Sequence, residues 1–449
     1  MADRNLLLSL NAGSSSLKIC LYKATRHVEL QQQQPHAARE PVELLLTSSI
    51  SNISAPPATF SFNPTTAIDA PHAKDEPQQS ITDHASAFAH FLDHLQSQAS
   101  IDRASIVYIC HRVVHGGDYT EPIEITDESY HHIENLSDLA PLHNGAALSV
   151  IKACIEALPD AKSIAYFDTT FHTSLPLHVS NYAINPDIAK KRGLRKYGFH
   201  GLSYAFILRA VSEYLQKPPT SLNLILLHLG SGASACAIQN GRSLDTTMGL
   251  TPLHGLPGAT RSGSIDPSLI FHYTNKAGRI THDPSMAAHV GVTLAEDILN
   301  RRSGWKAITG TTDFGVITAN AELEDKSPDV AGRNRYRLAF DLVVDRVLHY
   351  VGAYHLKLHG EVDALVFSGG IGERGVQLRS IISERVACLG YRAVDEEKNA
   401  KLDGEVANDI SKEGTGKGPR EQRILVVKTD EQIEMARECA LDPRFWESN

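Results

Sequence analysis

The sequence predicts an α/β protein of two related domains facing a cleft. Two segments, LLLSLNAGSSSLKICLY at 6–22 and LNLILLHLGSGASACAIQNGRSL at 222–244, each read as strand, glycine-rich turn, strand. Each is followed by a comparable series of mixed strands and helices. The length of 449 residues is enough to build two cores of ordinary size. The expected division is 1–169 plus 433–449 for the first domain, with a loop-rich insertion near 24–80, and 170–432 for the second.

In chain order, residues 6–10 form a strand, Asn11, Gly13 and three serines turn the chain, and Leu17–Tyr22 resume the extended pattern. The stretch 24–80 carries QQQQ at 31–34 and paired prolines at 56–57, so it reads as exposed loops. Within it, VELLLTSSI and ATFSFN can still extend the sheet. Apolar residues at Ala85, Phe88, Phe91, Leu92 and Leu95 recur at helical spacing. SIVYICHRVVHGG (105–117) is a buried strand entering a glycine turn, and a helix is expected between Leu136 and Leu158, ended by Pro159. SIAYFDTTFH (163–172) is a strand whose polar residues gather at its C-terminal end, where open α/β sheets bind ligands. After the second strand pair, Phe340, Val343, Val344, Val347, Val351, Tyr354 and Leu358 mark one stripe of a helix over about 337–358. VDALVFSGGIGE is strand into glycine turn. ILVVKTDEQIEMARECA is strand, turn and a helix capped by Thr429 or Asp430.

Composition excludes several classes of function. A formal net charge of -9 leaves no basic field for nucleic acid. No apolar run reaches the length of a membrane span, and the N-terminus lacks a secretory pattern, so a cytoplasmic protein is expected. The six cysteines are widely spaced without a CxxC pair and read as buried free thiols in a reducing compartment. HExxH, GxSxG and the GxxxxGK[ST] P-loop are all missing, which removes zinc peptidase, serine hydrolase and P-loop chemistry.

What remains is a set of anion-handling segments. Glycines and serines in NAGSSSLK can turn backbone N–H groups toward phosphate, with Lys18 adding charge and Asn11 offering an oxygen to a metal or water. LGSGAS at 229–234 and SGGIGE at 368–373 are further glycine turns at strand ends. Three such turns are what an actin-like nucleotide fold requires. In CHRVVHGG, Arg112 follows a buried strand, where it can clamp a carboxylate or phosphate or form an internal salt bridge. His115 in the same segment reads as structural. Asp168 ends a strand and can be a base, a metal organiser or a cap. His200 in YGFHG can donate to a phosphoryl group. Arg261 lies at the centre of the glycine-dense loop 251–267, and His143 precedes a helix in APLHNG. With 22 histidines in the chain, no single one is marked as catalytic by its type alone.

Together NAGSSSLK, HRVVHGG, APLHN, FDTTFH, YGFHG, HLGSGAS, TRSG, GGIGE and TDE follow one another as in acetate kinases, from residue 5 to about 440 and excluding most of 24–80. The chain resembles a eukaryotic, fungal member of that family. The resemblance implies two domains of the acetate and sugar kinase, Hsp70 and actin type. It implies reversible transfer of the ATP γ-phosphoryl group to acetate, giving acetyl phosphate and ADP. It also implies Mg²⁺, with Mn²⁺ as the alternative ion, and a homodimer. By similarity Arg112 and Arg261 bracket carboxylate and phosphoryl group, His200 stabilises the transferring group, His143 lies beside it, and Asp168 organises metal and substrate. Asn11 and Glu431 match metal positions. Val114, Leu142, Phe199 and Pro252 match the pocket around the acetate methyl. The nucleotide positions are Ser14, Ser16, Lys18, His228, Gly230, Ser231, Gly232, Asp313, Phe314, Gly315, Gly369, Gly370, Ile371 and Gly372.

Three positions depart from the family pattern: Ser231 replaces an asparagine, His254 a glutamate, and Gly315 the arginine after Asp–Phe. These changes fall on nucleotide selectivity. Competing readings are a propionate or butyrate kinase, a member using pyrophosphate or another donor, and a silent actin-like nucleotide-binding module. Retention of both arginines argues against the last, since a binder needs the nucleotide cradle alone.

Overall fold

The computed structural model of the chain describes residues 5–25, 40–136, 144–273, 293–414 and 417–446. It divides into two compact units, Met1–Thr170 with Asp430–Asn449, and Phe171–Thr429.

The first unit is built on an eight-stranded sheet in the order β5-β4-β3-β2-β1-β6-β8-β7. Here β1 is Leu6–Gly13, β2 Ser16–Ala24, β3 Val42–Ser51, β4 Ala58–Pro64, β5 Ala73–Gln78, β6 Ile106–Val113, β7 Ile123–Glu124 and β8 Lys162–Phe167. Strands β1 to β5 form an antiparallel meander, whereas β1, β6 and β8 run parallel. Parallel neighbours need crossovers, supplied here by the helices His84–Ala99 and Gly145–Ala157. Leu8, Leu10, Leu17, Ile19, Phe60 and Phe62 on the sheet close a core with Phe88, Phe91, Leu92, Leu95, Val150 and Cys154 on those helices. Asp83 caps the first of them, accepting from the Ser86 N–H in a reciprocal capping box.

The second unit holds a six-stranded sheet, β11-β10-β9-β12-β14-β13. Its strands are β9 Leu224–Leu229, β10 Ala233–Gln239, β11 Arg242–Thr246, β12 Ala364–Ser368, β13 Ala407–Asp409 and β14 Arg423–Val427. Here β9, β12 and β14 are parallel, and β10 and β11 continue antiparallel. The run β11-β10-β9-β12-β14 thus repeats the topology of β3-β2-β1-β6-β8. The helix Arg335–Lys357, capped by Asn334, buries Phe340, Val343, Val344, Val347, Val351 and Tyr354 against this sheet, as its stripe predicts.

Two expectations are borne out in part and two are corrected. In 24–80 the two expected strands form as β3 and β4, but the region is sheet, not loop, over most of its described length: β3 pairs along the whole of β2, and Phe60 and Phe62 are fully buried. The prolines that suggested loops occupy only the β3–β4 connection, and the glutamine run lies outside the described residues. SGGIGE is not a turn throughout. Gly369 alone takes a left-handed φ of 75°, and Gly369–Arg374 wind into a short helix. Of the helix expected between Leu136 and Leu158, Gly145–Ala157 forms, and 137–143 lie outside the described residues. Cys388 is exposed, while the other five cysteines are buried as expected. Among the described residues no helix is long and apolar enough to cross a membrane.

Candidate active site

In the first unit, the parallel order β1-β6-β8 sets three strand ends side by side, and each ends in a polar residue of the predicted set. Asn11 lies near the end of β1, Arg112 near the end of β6, and Asp168 directly after β8. Glu431 opens the helix Glu431–Leu441, whose cap is Asp430, accepting from the Gln432 and Ile433 N–H groups. Arg112 joins them all. Its Nε and Nη2 donate to Asp168 Oδ1 and Oδ2 at 3.0 and 2.7 Å, a two-pronged pair. Its Nη1 donates to Asn11 Oδ1 at 3.3 Å and lies 3.1 Å from Glu431 Oε2. Asn11 Nδ2 donates to the same Glu431 oxygen at 2.9 Å.

Asp168 is 1% exposed, Glu431 12% and Arg112 16%, so solvent screens this cluster poorly. Burial works against the Arg112 charge, but Asp168 and Glu431 beside it outweigh that and hold its pKa above the ordinary value. Burial raises Glu431, with Asp168 adding to the rise and Arg112 opposing it. A buried carboxylate raised in this way gains from a further cation. Mg²⁺ accepts one or two carboxylates together with amide oxygens, phosphates and water. Glu431 and Asn11 fit that donor set. Among the described residues no group of three or more His, Cys, Asp or Glu side chains forms a dedicated metal cage, so substrate oxygens would complete the shell.

The hairpin joining β1 and β2 is tightly braced. Lys18 stands directly across from Asn11 in the strand register. The Ser54 N–H and hydroxyl both bond Ser15 Oγ, at 3.3 and 2.7 Å, and His84 Nε2 bonds the Gly13 carbonyl at 2.8 Å. Ser54 from the supposed insertion and His84 from the helix that follows it thus hold the turn that carries Ser14 and Ser16. Beyond Arg112, a Cβ at Gly116 would lie 2.5 Å from the Phe167 ring, so only glycine lets the chain leave β6 here. Asn144 fixes the same loop through both its amide atoms to the His115 backbone. Val114 is half-buried there, whereas Leu142 and His143 lie outside the described residues.

In the second unit, His200 precedes the helix Gly201–Leu215 and takes a left-handed φ of 60°, an uncommon conformation for a side-chain-bearing residue. Its ring stacks on His228 with centroids 4.2 Å apart, and its Nδ1 bonds Ser234 Oγ at 2.8 Å. Gly232 explains why the following turn is glycine-rich. A Cβ there would lie 3.3 Å from Arg261 Nη1 and 3.7 Å from His200 Nε2, so these two groups gather at the turn. The Arg261 loop is tied to the same turn by the Ala259 N–H donating to the Ser231 carbonyl at 2.8 Å. Phe199 and Pro252 are buried, and the Phe199 carbonyl bonds His172 Nε2 at 3.0 Å.

The remaining nucleotide positions sort unevenly. Gly369 belongs beside the β9 end, since a Cβ there would lie 2.7 Å from the Leu229 carbonyl oxygen. Arg379, fully buried, donates to the Gly372 and Glu373 carbonyls and to Asn399, which pins the helix carrying Gly370, Ile371 and Gly372. Asp313 caps the helix Phe314–Asn320 through the Gly315 and Val316 N–H groups. Phe314 does not reach outward: it is buried, stacked on Phe340 and edge-on to Trp305. Its role is to seat Asp313 and Gly315, because an aromatic ring is worth more in this apolar core than on a wet surface. Sequence reasoning missed Tyr204, Ser234, Asn144 and Arg379. Ser234 lies inside the quoted HLGSGAS motif, and Tyr204 stands one helical turn from His200, so both were within reach.

The acetokinase family model matches residues 6–437. A protein of Neurospora crassa named probable acetate kinase is 47% identical over 99% of this chain and 95% of its own length. One of Emericella nidulans with the same name is 46% identical over 97% of each chain. Among solved structures, a propionate kinase from Francisella tularensis superposes with a TM-score of 0.77 at 30% identity, covering 97% of this chain and 98% of its own. The Porphyromonas gingivalis acetate kinase superposes at 0.74 with 29% identity over the same shares. With two α/β units of repeated topology and a family model matched over nearly its whole length, the chain belongs to the acetokinase family.

Proposed function

We propose that this chain is an ATP-dependent acetate kinase, reversibly transferring the γ-phosphoryl group to acetate to give acetyl phosphate and ADP. The observation that carries the proposal is the half-buried Arg112 fork, held by Asp168 and flanked by Asn11 and Glu431, in a member of this family. Acetate is already ionised at neutral pH and is an adequate nucleophile. The barrier lies in bringing one anion up to another and holding them in line.

In the step itself, a carboxylate oxygen forms the new O–P bond as the bond from phosphorus to the β–γ bridging oxygen breaks, and the electron pair leaves with ADP. No proton has to move and no phosphoenzyme forms. Arg112 and Arg261 carry the positive charge that offsets anion repulsion, and His200 donates to a phosphoryl oxygen. Asp168 keeps the Arg112 fork oriented. Val114, Leu142, Phe199 and Pro252 border the methyl group, and His143 lies beside the same site. The glycine positions of the 170–432 domain, with Ser14, Ser16 and Lys18, hold the nucleotide. Glu431 and Asn11 would hold Mg²⁺ (or Mn²⁺), which when bound neutralises phosphate charge. A cytoplasmic homodimer completes the reading.

Propionate is the second reading, favoured by the Francisella tularensis structure. One methylene is worth only about 1–3 kcal/mol in an apolar pocket. The test is a coupled assay with acetate and propionate against ATP, GTP and pyrophosphate. Acetate with ATP is expected to give the highest kcat/KM. The absence of acyl phosphate formation with ATP would overturn the proposal.

A further inference from the structure

We propose that His200 works as a neutral Nε2–H donor, and that Ser234 and Tyr204 are the positioning residues that hold it in this tautomer. The inference rests on the reading of His200 as the group that meets the phosphoryl oxygen. Ser234 is fully buried on β10, directly across from His228 on β9 in the strand register. Its hydroxyl meets His200 Nδ1 at 2.8 Å and also bonds the buried Tyr204 hydroxyl. A hydroxyl has one proton to give, so the direction of this chain decides which imidazole nitrogen carries the proton.

Acidity sets the direction. The phenol is the stronger acid of the two hydroxyls, and an imidazole nitrogen is a better acceptor than an alcohol oxygen. Tyr204 therefore donates to Ser234, and Ser234 donates to His200 Nδ1. With Nδ1 accepting, the ring proton resides on Nε2. That nitrogen lies at the Gly232 turn together with Arg261 Nη1. Phosphoryl oxygens only accept hydrogen bonds, so an N–H there attracts them, and the opposite tautomer would turn a lone pair toward an anion.

The neighbours favour a neutral ring. His200 stacks on His228 at 4.2 Å, and Arg261 supplies a positive charge at the same turn. A second cation against these groups is disfavoured by like-charge repulsion. His228 is tied in a parallel manner. Its Nδ1 meets Ser203 Oγ at 2.7 Å, and Ser203 meets the Thr429 hydroxyl at 2.8 Å. The two stacked imidazoles thus each have Nδ1 engaged by a buried serine. The left-handed backbone at His200 fixes the ring between these supports.

The experiment uses the full chain with ¹⁵N-labelled histidine, the His200 signals being assigned by their loss in His200→Gln. The parent is expected to show His200 with a bare Nδ1 and a protonated Nε2 from pH 6.5 to 8.5. Ser234→Ala should mix the tautomers and lower kcat roughly tenfold to a hundredfold, the scale of losing a partner that orients a functional imidazole. The KM for ATP should stay within about twofold, since only an interaction made during transfer is lost. Tyr204→Phe should move both readouts in the same direction by less, and it serves as the test if Ser234→Ala does not fold. A protonated Nδ1 in the parent, or Ser234→Ala with the parent's spectrum and turnover, would overturn the inference. A parent that makes no acyl phosphate fails the kinase reading separately, because the tautomer is read on the resting protein.

Discussion

Replacing Arg112 with alanine removes a guanidinium that Asp168, Glu431 and Asn11 all contact. Asp168, 1% exposed, loses both of its hydrogen bonds to the fork, and Glu431 loses the cation 3.1 Å away. Breaking a buried ion pair from one side costs about 3–5 kcal/mol. For a unit of this size that is a fall in Tm on the order of 10 °C. Loss of transition-state stabilisation is expected to lower kcat about 100- to 1000-fold. The two-pronged pair with Asp168 thus couples folding to turnover at Arg112.

The variant also has a distinctive pH response. Glu431 is already raised, mainly by burial, and Arg112 is the group opposing the rise. Without Arg112 it rises further. A carboxyl whose folded pKa lies above its unfolded value binds more protons when folded, so stability falls as pH rises through that window. Arg112→Ala should therefore regain part of its Tm deficit between pH 7.5 and 5.5. Removing Asp168 as well, in Arg112→Ala/Asp168→Ala, deletes the stranded carboxylate and should restore roughly 1–3 kcal/mol without restoring turnover. Calorimetry across pH with kinetics on the same samples tests this. A double variant no more stable than Arg112→Ala, with no recovery in acid, would refute the reasoning.

Gly369→Ala should raise the KM for ATP and cost roughly 1–3 kcal/mol of stability, because a Cβ would meet the Leu229 carbonyl oxygen at 2.7 Å on a backbone of positive φ; unchanged ATP titration and melting would refute it. Gly315→Arg should increase the ATP-to-GTP ratio of kcat/KM, because the helical backbone accepts a side chain and only the Asp313 carboxylate, 3.1 Å from the added Cβ, has to shift. An unchanged ratio, from a parent that already strongly prefers ATP, would rule that out. Burial pushes His111 down to about 3 and His172 down to about 4. Their folded values lie below the ordinary 6.5, so their contribution is complete above pH 6.5 and is lost as pH falls toward 4. The expected slope is about 1.4 kcal/mol per pH unit for each histidine. Urea midpoints should track that slope, and His111→Gln should flatten it.

Much of this fold was legible because the local signals agreed with one another. The hairpins at 6–22 and 222–244, the stripe on the long helix and the polar strand ends each follow from periodicity or turn chemistry. The misreadings share a cause. In 24–80 the paired prolines mark only the β3–β4 connection, while the strands around them, two of which the pattern offered, are written in common small and apolar residues. Phe314, carried over as a nucleotide position by resemblance, is turned inward by its helix onto Phe340. At the site, charged residues next to glycines announced themselves. Ser234 and Tyr204 did not, since a hydroxyl that supports an imidazole looks in sequence like any other buried polar residue.

The order of the chain has a consequence for biosynthesis. The first unit takes its sheet from the first 170 residues but the helix Glu431–Leu441 from the far end of the chain, after the entire second unit has been made. On the ribosome, domains generally fold as they emerge. The strands bearing Asn11, Arg112 and Asp168 are thus complete long before Glu431 and the Gln432 side chain that bonds the Ser9 carbonyl are synthesised. Until then the sheet waits with one face uncovered. A chain cut short anywhere ahead of 430 lacks a carboxylate of the arginine cluster and the helix that brings it, so premature termination leaves the proposed site as well as the fold unfinished.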